Sequence, residues 1–411
     1  MAHHNPFQDR HIVLGVTGGI AAYKAAELTS RLVKAGATVD VIMTDNAQEF
    51  VAPLTFQALT HRPVVTEMFA LLAETEIGHV TLAKRAEALV IAPATANTIA
   101  KLALGLADNM LTTTALATTA PMIIAPAMES AMWLNAITQQ HTRTLRERGA
   151  VIVGPAEGRL ASGASGPGRM AEPIEIFDAV RLVLARSGDL KGRTIVVSAG
   201  GTQEPIDPVR FIGNRSSGKM GYAIAEAARD RGAEVILISG PTALPAPAGV
   251  TVLNVNTADE MARAVLLNID GADALIMAAA VADFRPVQAE KQKIKKEAQE
   301  GLTLSLVRNP DILARVAERR ENRPLPLVIG FAAETQDLIA NAQEKLRHKR
   351  MDMIVANDVA AADSGFGTDT NQVTLLRADG HVEALPLMSK FEVAHRILDE
   401  VCRLLGAASP V

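Results

Sequence analysis

Cysteine is almost missing from this chain. Its single example, Cys402, cannot build an intramolecular disulfide framework or a cysteine-based zinc cluster. A reducing, cytoplasmic setting is therefore expected. Aromatic residues are also scarce, at 3%, although 48% of the chain is hydrophobic. The apolar mass is Ala, Val, Ile and Leu, which suits parallel strands buried on both faces. No basic excess exists: net charge is −4, so a general nucleic-acid partner is not expected. No apolar run is long enough for a membrane span, and no basic-then-apolar leader opens the chain. A membrane partner is accordingly not expected.

Two familiar motifs are incomplete. Gly213–Lys219 spells GxxxxGK, but Met220 follows where a P-loop needs Ser or Thr for Mg²⁺. The apolar strand before it, Thr194–Ser198, also ends too early for that motif. Gly15–Lys24 turns from a strand into a helix but lacks the third glycine of GxGxxG. Asp45 lies about 27 residues beyond Gly18, a poor match to a ribose-binding acid. Both nucleotide-fold fingerprints are set aside on these grounds.

The remaining pattern alternates strands and helices. Apolar runs at His11–Thr17, Thr38–Met43, Leu89–Ile91, Met122–Ala125 and Val151–Val153 read as strands. Helices are expected at Ile20–Ala35, Thr55–Leu59 and Ile174–Arg186. After the polar junction Ser187–Gly192 the alternation restarts, with strands at Thr194–Ser198, Glu234–Ser239, Ala274–Met277, Leu327–Gly330 and Asp352–Val355. Gln372–Leu376 and Val382–Leu385 flank a turn and read as a terminal hairpin, followed by a helix at Phe391–Leu405. The fold class is α/β: two tandem three-layer, Rossmann-like domains with mostly parallel sheets, divided at residues 189/190. No motif repeats between the halves, so a duplication is not read.

Polar chemistry gathers at the expected strand ends, where ligands of open α/β sheets bind. Gly18 and Gly19 open a helix whose N-terminus is a ready phosphate site, and Thr44 ends the second strand. FMN, with one phosphate on a ribityl chain, fits that turn better than NAD. Pro93–Asn97, Gly105–Thr114, Pro126–Trp133 and a Gly-rich flap at Gly163–Met170 add further polar clusters. The connection from Gly200 to Gly221 is long for a βα loop. It collects hydroxyls, Asn214, Arg210, Arg215 and Lys219, the kit for a phosphorylated ligand.

These motifs carry a resemblance. Residues 10–186 resemble the homo-oligomeric flavin-containing cysteine decarboxylases, through GGIAAYK, His79 before its helix, PATAN, GLADNMLTTT, the Pro126–Trp133 segment and GPGRM. Residues 194–405 resemble phosphopantothenate–cysteine ligases, through DPVRFIGNRSSGKMG, AAAVADFRP, KIKK, NPDI and GFAAET. The order of the halves is that of a bifunctional enzyme of coenzyme A biosynthesis. A flavodoxin-like first domain is implied. FMN would be lined by Gly18, Gly19, Ile20, Thr44, Pro93, Ala94, Thr95, Ala96, Asn97 and Met128, with His79 as catalytic base. The implied reaction is oxidative decarboxylation of 4′-phosphopantothenoylcysteine, with the electrons returned to give 4′-phosphopantetheine. In the second half, 4′-phosphopantothenate would attack CTP, with Mg²⁺ on the phosphates, and cysteine would displace CMP. Asn214 would hold the acyl-cytidylate with Arg210 nearby, and Lys293 would reach the triphosphate. Met277, Ala278, Ala279, Asp283, Asn309, Pro310, Asp311, Ile312, Phe331, Lys345 and Lys349 would surround CTP. No side-chain set is assigned to a resident metal.

Two positions depart from the decarboxylase pattern. Glu129 stands for an asparagine that would meet the substrate carboxylate, and Ser162 for the flap cysteine that donates a proton. Two readings stay open: a retained decarboxylase with Glu129 or a water as donor, or a ligase whose first half binds flavin without decarboxylating. The resemblance also implies homo-oligomers, with trimers of the first half, dimers of the second, and a dodecamer built from both.

Overall fold

The computed structural model describes residues 5–68, 78–295, 302–321, 323–334, 338–358 and 367–408. The chain divides into two compact units between Ala185 and Arg186.

In the first unit, β1 (His11–Val16), β2 (Thr38–Met43), β3 (Ala88–Ala94), β4 (Met122–Pro126) and β5 (Val151–Ile152) form one parallel sheet. Its strand order is β2-β1-β3-β4-β5, the flavodoxin-like order. Strand β1 shows why the order is stable. Ile12, Leu14 and Val16 face one core, with Leu28 and Leu32 of the helix Ala22–Lys34 and Val180 of the helix Pro173–Ala185. Val13 faces the other, with Ile91, Ile99 and Leu111. Both faces are dry, so the run is apolar throughout rather than alternating. Each such buried Leu or Ile contributes roughly 1.5–3 kcal/mol. The Gly-rich flap is a hairpin, β6 (Ala156–Arg159) against β7 (Ser165–Arg169). Gly168, at φ +151, leaves no room for a Cβ, which would stand 2.3 Å from the Met128 carbonyl.

The second unit carries β8 (Thr194–Ala199), the small hairpin β9 (Gln203–Pro205) with β10 (Phe211–Gly213), β11 (Glu234–Ser239), β12 (Thr251–Asn254) and β13 (Ala274–Met277). Next come β14 (Phe284–Pro286), β15 (Leu306–Arg308), β16 (Leu327–Glu334) and β17 (Met353–Asp358). Last are β18 (Thr370–Asn371), β19 (Val373–Arg377), β20 (Val382–Ala384) and β21 (Met388–Ser389). The main sheet runs β12-β11-β8-β13-β16-β17-β19-β20. It is parallel as far as β17, and β19 and β20 add antiparallel edges, the expected terminal hairpin. The helix Lys219–Asp230 packs beside the final helix, Lys390–Ala408, on one face of this sheet.

The junction expected between domains packs on this second unit. Leu190 is buried and donates its N–H to the Arg231 carbonyl at 2.9 Å. Arg231, 2% exposed, binds both Asp189 carboxylate oxygens at 2.9 and 2.6 Å and Asp399 at 2.9 Å. It also donates to the His395 carbonyl and the Cys402 sulfur. Burial pushes the Cys402 thiol up to about 11, Asp189 and Asp399 push the same way, and Arg231 offsets them only in part. Among the described residues no helix is long and apolar enough to cross a membrane.

Arg231→Leu removes the buried guanidinium that ties Asp189, Asp399 and the His395 carbonyl together, the two carboxylates being part-exposed. It is expected to remove about 1–2 kcal/mol from the unfolding free energy of the second unit, measured by urea denaturation. A change below about 0.5 kcal/mol would mean that the ion cluster is dispensable.

Candidate functional sites

Parallel strands aim their C-terminal ends, and the N-termini of the helices that follow, at one sheet edge. In the first unit that edge holds two adjoining clefts, of about 580 and about 340 Å³. Gly18, Thr95, Ala96 and Met132 line both. Gly19, Ile20 and Met128 line the larger, and Thr44 and Asn97 the smaller. Thr17 stitches the edge together: its hydroxyl donates to the Pro93 carbonyl at 2.7 Å and accepts from the Thr95 N–H at 3.1 Å. Pro93 and Ala94 are buried in β3 and set this backbone rather than lining a cleft. The two glycines differ. A Cβ on Gly18 would lie 2.4 Å from the Asn46 Cβ, whereas on Gly19 it would meet nothing closer than Thr95 at 3.9 Å. Gly18 therefore serves packing, while Gly19 leaves space at the cleft.

The fit to a flavin rests on three features of this edge. No side chain caps the helix Ala22–Lys34; the Ala22 and Lys24 N–H groups turn back to the Gly19 and Ala21 carbonyls at 2.9 and 3.0 Å, and the positive end of the helix dipole faces the cleft beside Gly19. Ile20, Tyr23 and Met132 line the larger cleft at 63%, 61% and 50% exposure, apolar surface for a ring system. Lys24, Arg159 and Arg169 also line it, giving a cationic wall for a phosphorylated substrate. Glu172 joins two of these cations, accepting from Lys24 at 2.8 Å and Arg169 at 3.0 Å. The Lys24 hydrogen bond, more than its charge, holds the Glu172 carboxyl below its ordinary value. Thr95 and Asn109 are helix N-caps, the latter in a capping box with Thr112. The polar motifs that contain them thus shape the edge first.

The two departures from the decarboxylase pattern meet here. Ser162 donates to Glu129 over a long 3.5 Å, and both line the larger cleft. His79, early in the helix Gly78–Arg85, lines neither cleft within its own chain.

The second unit opens a cleft of about 440 Å³ at the corresponding edge of its sheet. Of the expected residues, Asn214, Ala278, Ala279, Asp283, Phe331 and Lys345 line it. The helix Lys219–Asp230 begins there, with Gly218 at φ +78 as its N-cap and no side-chain cap. Asn214 donates its amide to the Val281 carbonyl at 3.1 Å, tying the long loop to the tip of β13. Gly221 permits this approach of helix to sheet, since a Cβ there would stand 2.5 Å from the Ala199 Cβ.

Other expected residues stand outside the lining of this cleft. Met277 is buried in β13. Asn309 supports the cleft turn by donating to the Ala282 carbonyl at 2.8 Å and, through its backbone, to Asp283. Pro310 precedes Asp311, which caps the helix Ile312–Arg320 by accepting from Ala314 at 3.0 Å; Ile312 is buried. Lys349 pairs with Asp311. Arg210 is engaged with Asp207 and the Ile294 carbonyl. Lys293 is exposed; Lys296 and Thr335 of the quoted motifs lie outside the described residues.

Sequence reasoning missed Asn357, Asn371 and Lys390, which also line the cleft. Asn357 ends β17, so the strand-tip rule could have found it. Lys390 carried no local signal. It is buried, and binds the Thr368 and Thr370 carbonyls. Burial lowers its pKa, and Lys219 lowers it further. Lys219 binds the Gly367 carbonyl at 2.9 Å and Asp369 at 2.7 Å, so two cations converge on one turn.

Comparison with known proteins gives this geometry its context. A family model described as Flavoprotein matches residues 1–184, and one described as DNA/pantothenate metabolism flavoprotein C-terminal domain matches residues 190–405. The coenzyme A biosynthesis bifunctional protein CoaBC of Vibrio vulnificus is 46% identical, covering 97% of this chain and 98% of its own. That of Bacillus subtilis is 48% identical, covering 96% and 97%. A solved C-terminal domain of a CoaBC protein is 44% identical, with TM-score 0.46, covering 54% of this chain and 100% of its own. The chain belongs to the family of bifunctional coenzyme A biosynthesis proteins, enzymes with a phosphopantothenoylcysteine decarboxylase half and a phosphopantothenate–cysteine ligase half.

The two glycines separate packing from ligand binding. Gly18→Ala is expected to cost about 1–3 kcal/mol of stability through overpacking. Gly19→Ala is expected to leave thermal unfolding unchanged and to lower the flavin retained on purification. Equal effects of the two variants on both readouts would contradict this division.

Proposed function

We propose that the first unit holds FMN along the edge formed by Gly18, Gly19, Ile20, Thr44, Thr95, Ala96, Asn97 and Met128, and decarboxylates 4′-phosphopantothenoylcysteine. The observation that carries this is the uncapped helix N-terminus beside the open side of Gly19, next to an apolar rim. When bound, the flavin supplies the two-electron chemistry that makes the cysteinyl carboxylate a leaving group and then restores the thiol oxidation level. The chain's own residues orient the substrate and manage protons. Lys24, Arg159 and Arg169 attract its anionic groups. His79 acts as base at the cleft of a neighbouring copy, which accounts for its place outside its own chain's clefts. This requires a homo-oligomer, trimeric through the first unit, dimeric through the second and dodecameric when both operate.

The second unit joins 4′-phosphopantothenate to cysteine at the expense of CTP. The uncapped helix N-terminus at Gly218, with Lys219, Lys345 and Lys390 in the same cleft, supports a site for a polyphosphate. Mg²⁺ bound with CTP would offset the phosphate charge that Lys219, Lys345 and Lys390 face. Asn214 holds the acyl-cytidylate, Phe331 covers the base and Lys293 neutralises the triphosphate. All substrates are small molecules of the cytoplasm.

One observation favours a second reading. Glu129 and Ser162 share the first cleft, and a carboxylate facing a carboxylate is repulsive. On that reading the first unit binds flavin as a scaffold, and the chain only ligates. Single-turnover release of CO₂ from phosphopantothenoylcysteine by the purified flavoprotein separates the two. Stoichiometric release is expected; flavin binding with no CO₂ establishes the scaffold reading.

A further inference from the structure

Asp207 is a fully engaged carboxylate of the second unit to which the reaction gives no role. Its residue is 3% exposed, in the turn between β9 and β10. One oxygen accepts from the Val209 and Arg210 N–H groups, both at 2.8 Å. The other accepts from the Arg210 Nε at 2.9 Å and from the Ile294 N–H at 3.2 Å. Arg210 completes the ring by donating Nη2 to the Ile294 carbonyl at 2.8 Å. Ile294 is therefore gripped at both its N–H and its C=O by one acid–base pair. A second tie lies close by, where Glu290 donates its N–H to the Ile206 carbonyl at 2.9 Å.

The bonds from the Val209 and Arg210 N–H groups serve the hairpin's own turn; the two contacts to Ile294 do not. The hairpin strands already pair from Gln203 with Gly213 to Pro205 with Phe211, and Ile206 donates to the Arg210 carbonyl across the turn. The contacts to Ile294 reach outside the hairpin, across more than eighty positions of sequence. Ile294 is flanked by two exposed lysines, Lys293 and Lys295, of which Lys293 is the one assigned to the triphosphate. Its side chain is exposed, so the backbone is what anchors it, fixing the point from which the ammonium reaches out. Burial alone would raise the Asp207 carboxyl; the hydrogen bonds from Val209, Ile294 and Arg210 outweigh it and hold the group well below the usual carboxylate range. The clamp is thus ionised at neutral pH.

We propose that Asp207, acting through Arg210 and the Ile294 backbone, is a positioning residue that fixes where Lys293 meets the nucleotide. The proposal rests on the assignment of Lys293 to the CTP triphosphate. It also gives Arg210 a second duty, as the bridge of the clamp, which accounts for its place outside the lining of the cleft.

The test is calorimetric titration of the full-length flavoprotein with CTP and Mg²⁺, for Asp207→Asn, Lys293→Gln and the double variant. Lys293→Gln is expected to weaken CTP about 10–100-fold, the range for a charge-assisted contact. Asp207→Asn is expected to weaken it within the same range, and the double variant no further than Lys293→Gln alone. Additive losses would show a merely structural role and overturn the proposal. So would native affinity in Asp207→Asn. If that variant fails to fold, Arg210→Lys replaces it, since an ammonium cannot bridge Asp207 and the Ile294 carbonyl together; native affinity there is equally fatal. Unchanged affinity in Lys293→Gln overturns the Lys293 assignment itself, and the positioning role with it. Loss in Lys293→Gln but not in the clamp variants removes the positioning role alone.

Discussion

A parallel sheet obliges its strands to end on one edge, and each following helix to begin there. Backbone donors and the positive ends of helix dipoles therefore accumulate at that edge. Both units obey this constraint. The helix after β1 starts at Ala22 and the helix after β8 at Lys219, and neither is capped by a side chain. Other helices are capped by side chains, as at Thr95, Asn109, Thr257 and Asp311, while the short helices after Thr44, Ala52 and Glu129 are not. Leaving these two ends bare costs stability that a bound phosphate would return.

The two edges are furnished differently, and the furnishing tracks the ligand. The first offers an apolar rim from Ile20, Tyr23 and Met132 beside a cationic wall, which suits a ring system next to an anionic substrate. The second gathers Lys219, Lys345 and Lys390 with the amides Asn214, Asn357 and Asn371, which suits a polyphosphate and a polar base. Lys390 shows the cost of such crowding, since burial and the neighbouring Lys219 both work against its charge. An incoming anion would relieve both.

Much of this was legible in the sequence because parallel strands buried on both faces leave unbroken apolar runs. Strand β2 was expected at Thr38–Met43 and forms there, and the terminal hairpin was expected and forms as β19 and β20. The small pairs β9/β10, β14/β15 and β18/β21 were not legible, since two or three residues carry no period. In the ligase cleft, Ala278 and Ala279 just beyond β13 could be placed from sequence; Phe331 was expected after its strand and lies within β16, which runs on to Glu334. Lys390 could not be placed, because only tertiary packing returns the start of the last helix to the cleft. The pairing of Lys349 with Asp311 was not legible either, because it too forms only when the helix Ile312–Arg320 packs on the sheet.

The central claim is that two separate sheet edges hold two different phosphate-bearing ligands at once. Native mass spectrometry of the purified chain, with CTP and Mg²⁺ added, tests it most directly. The account predicts a species carrying both FMN and CTP on each chain. Displacement of one by the other, or a chain that retains neither, would contradict it.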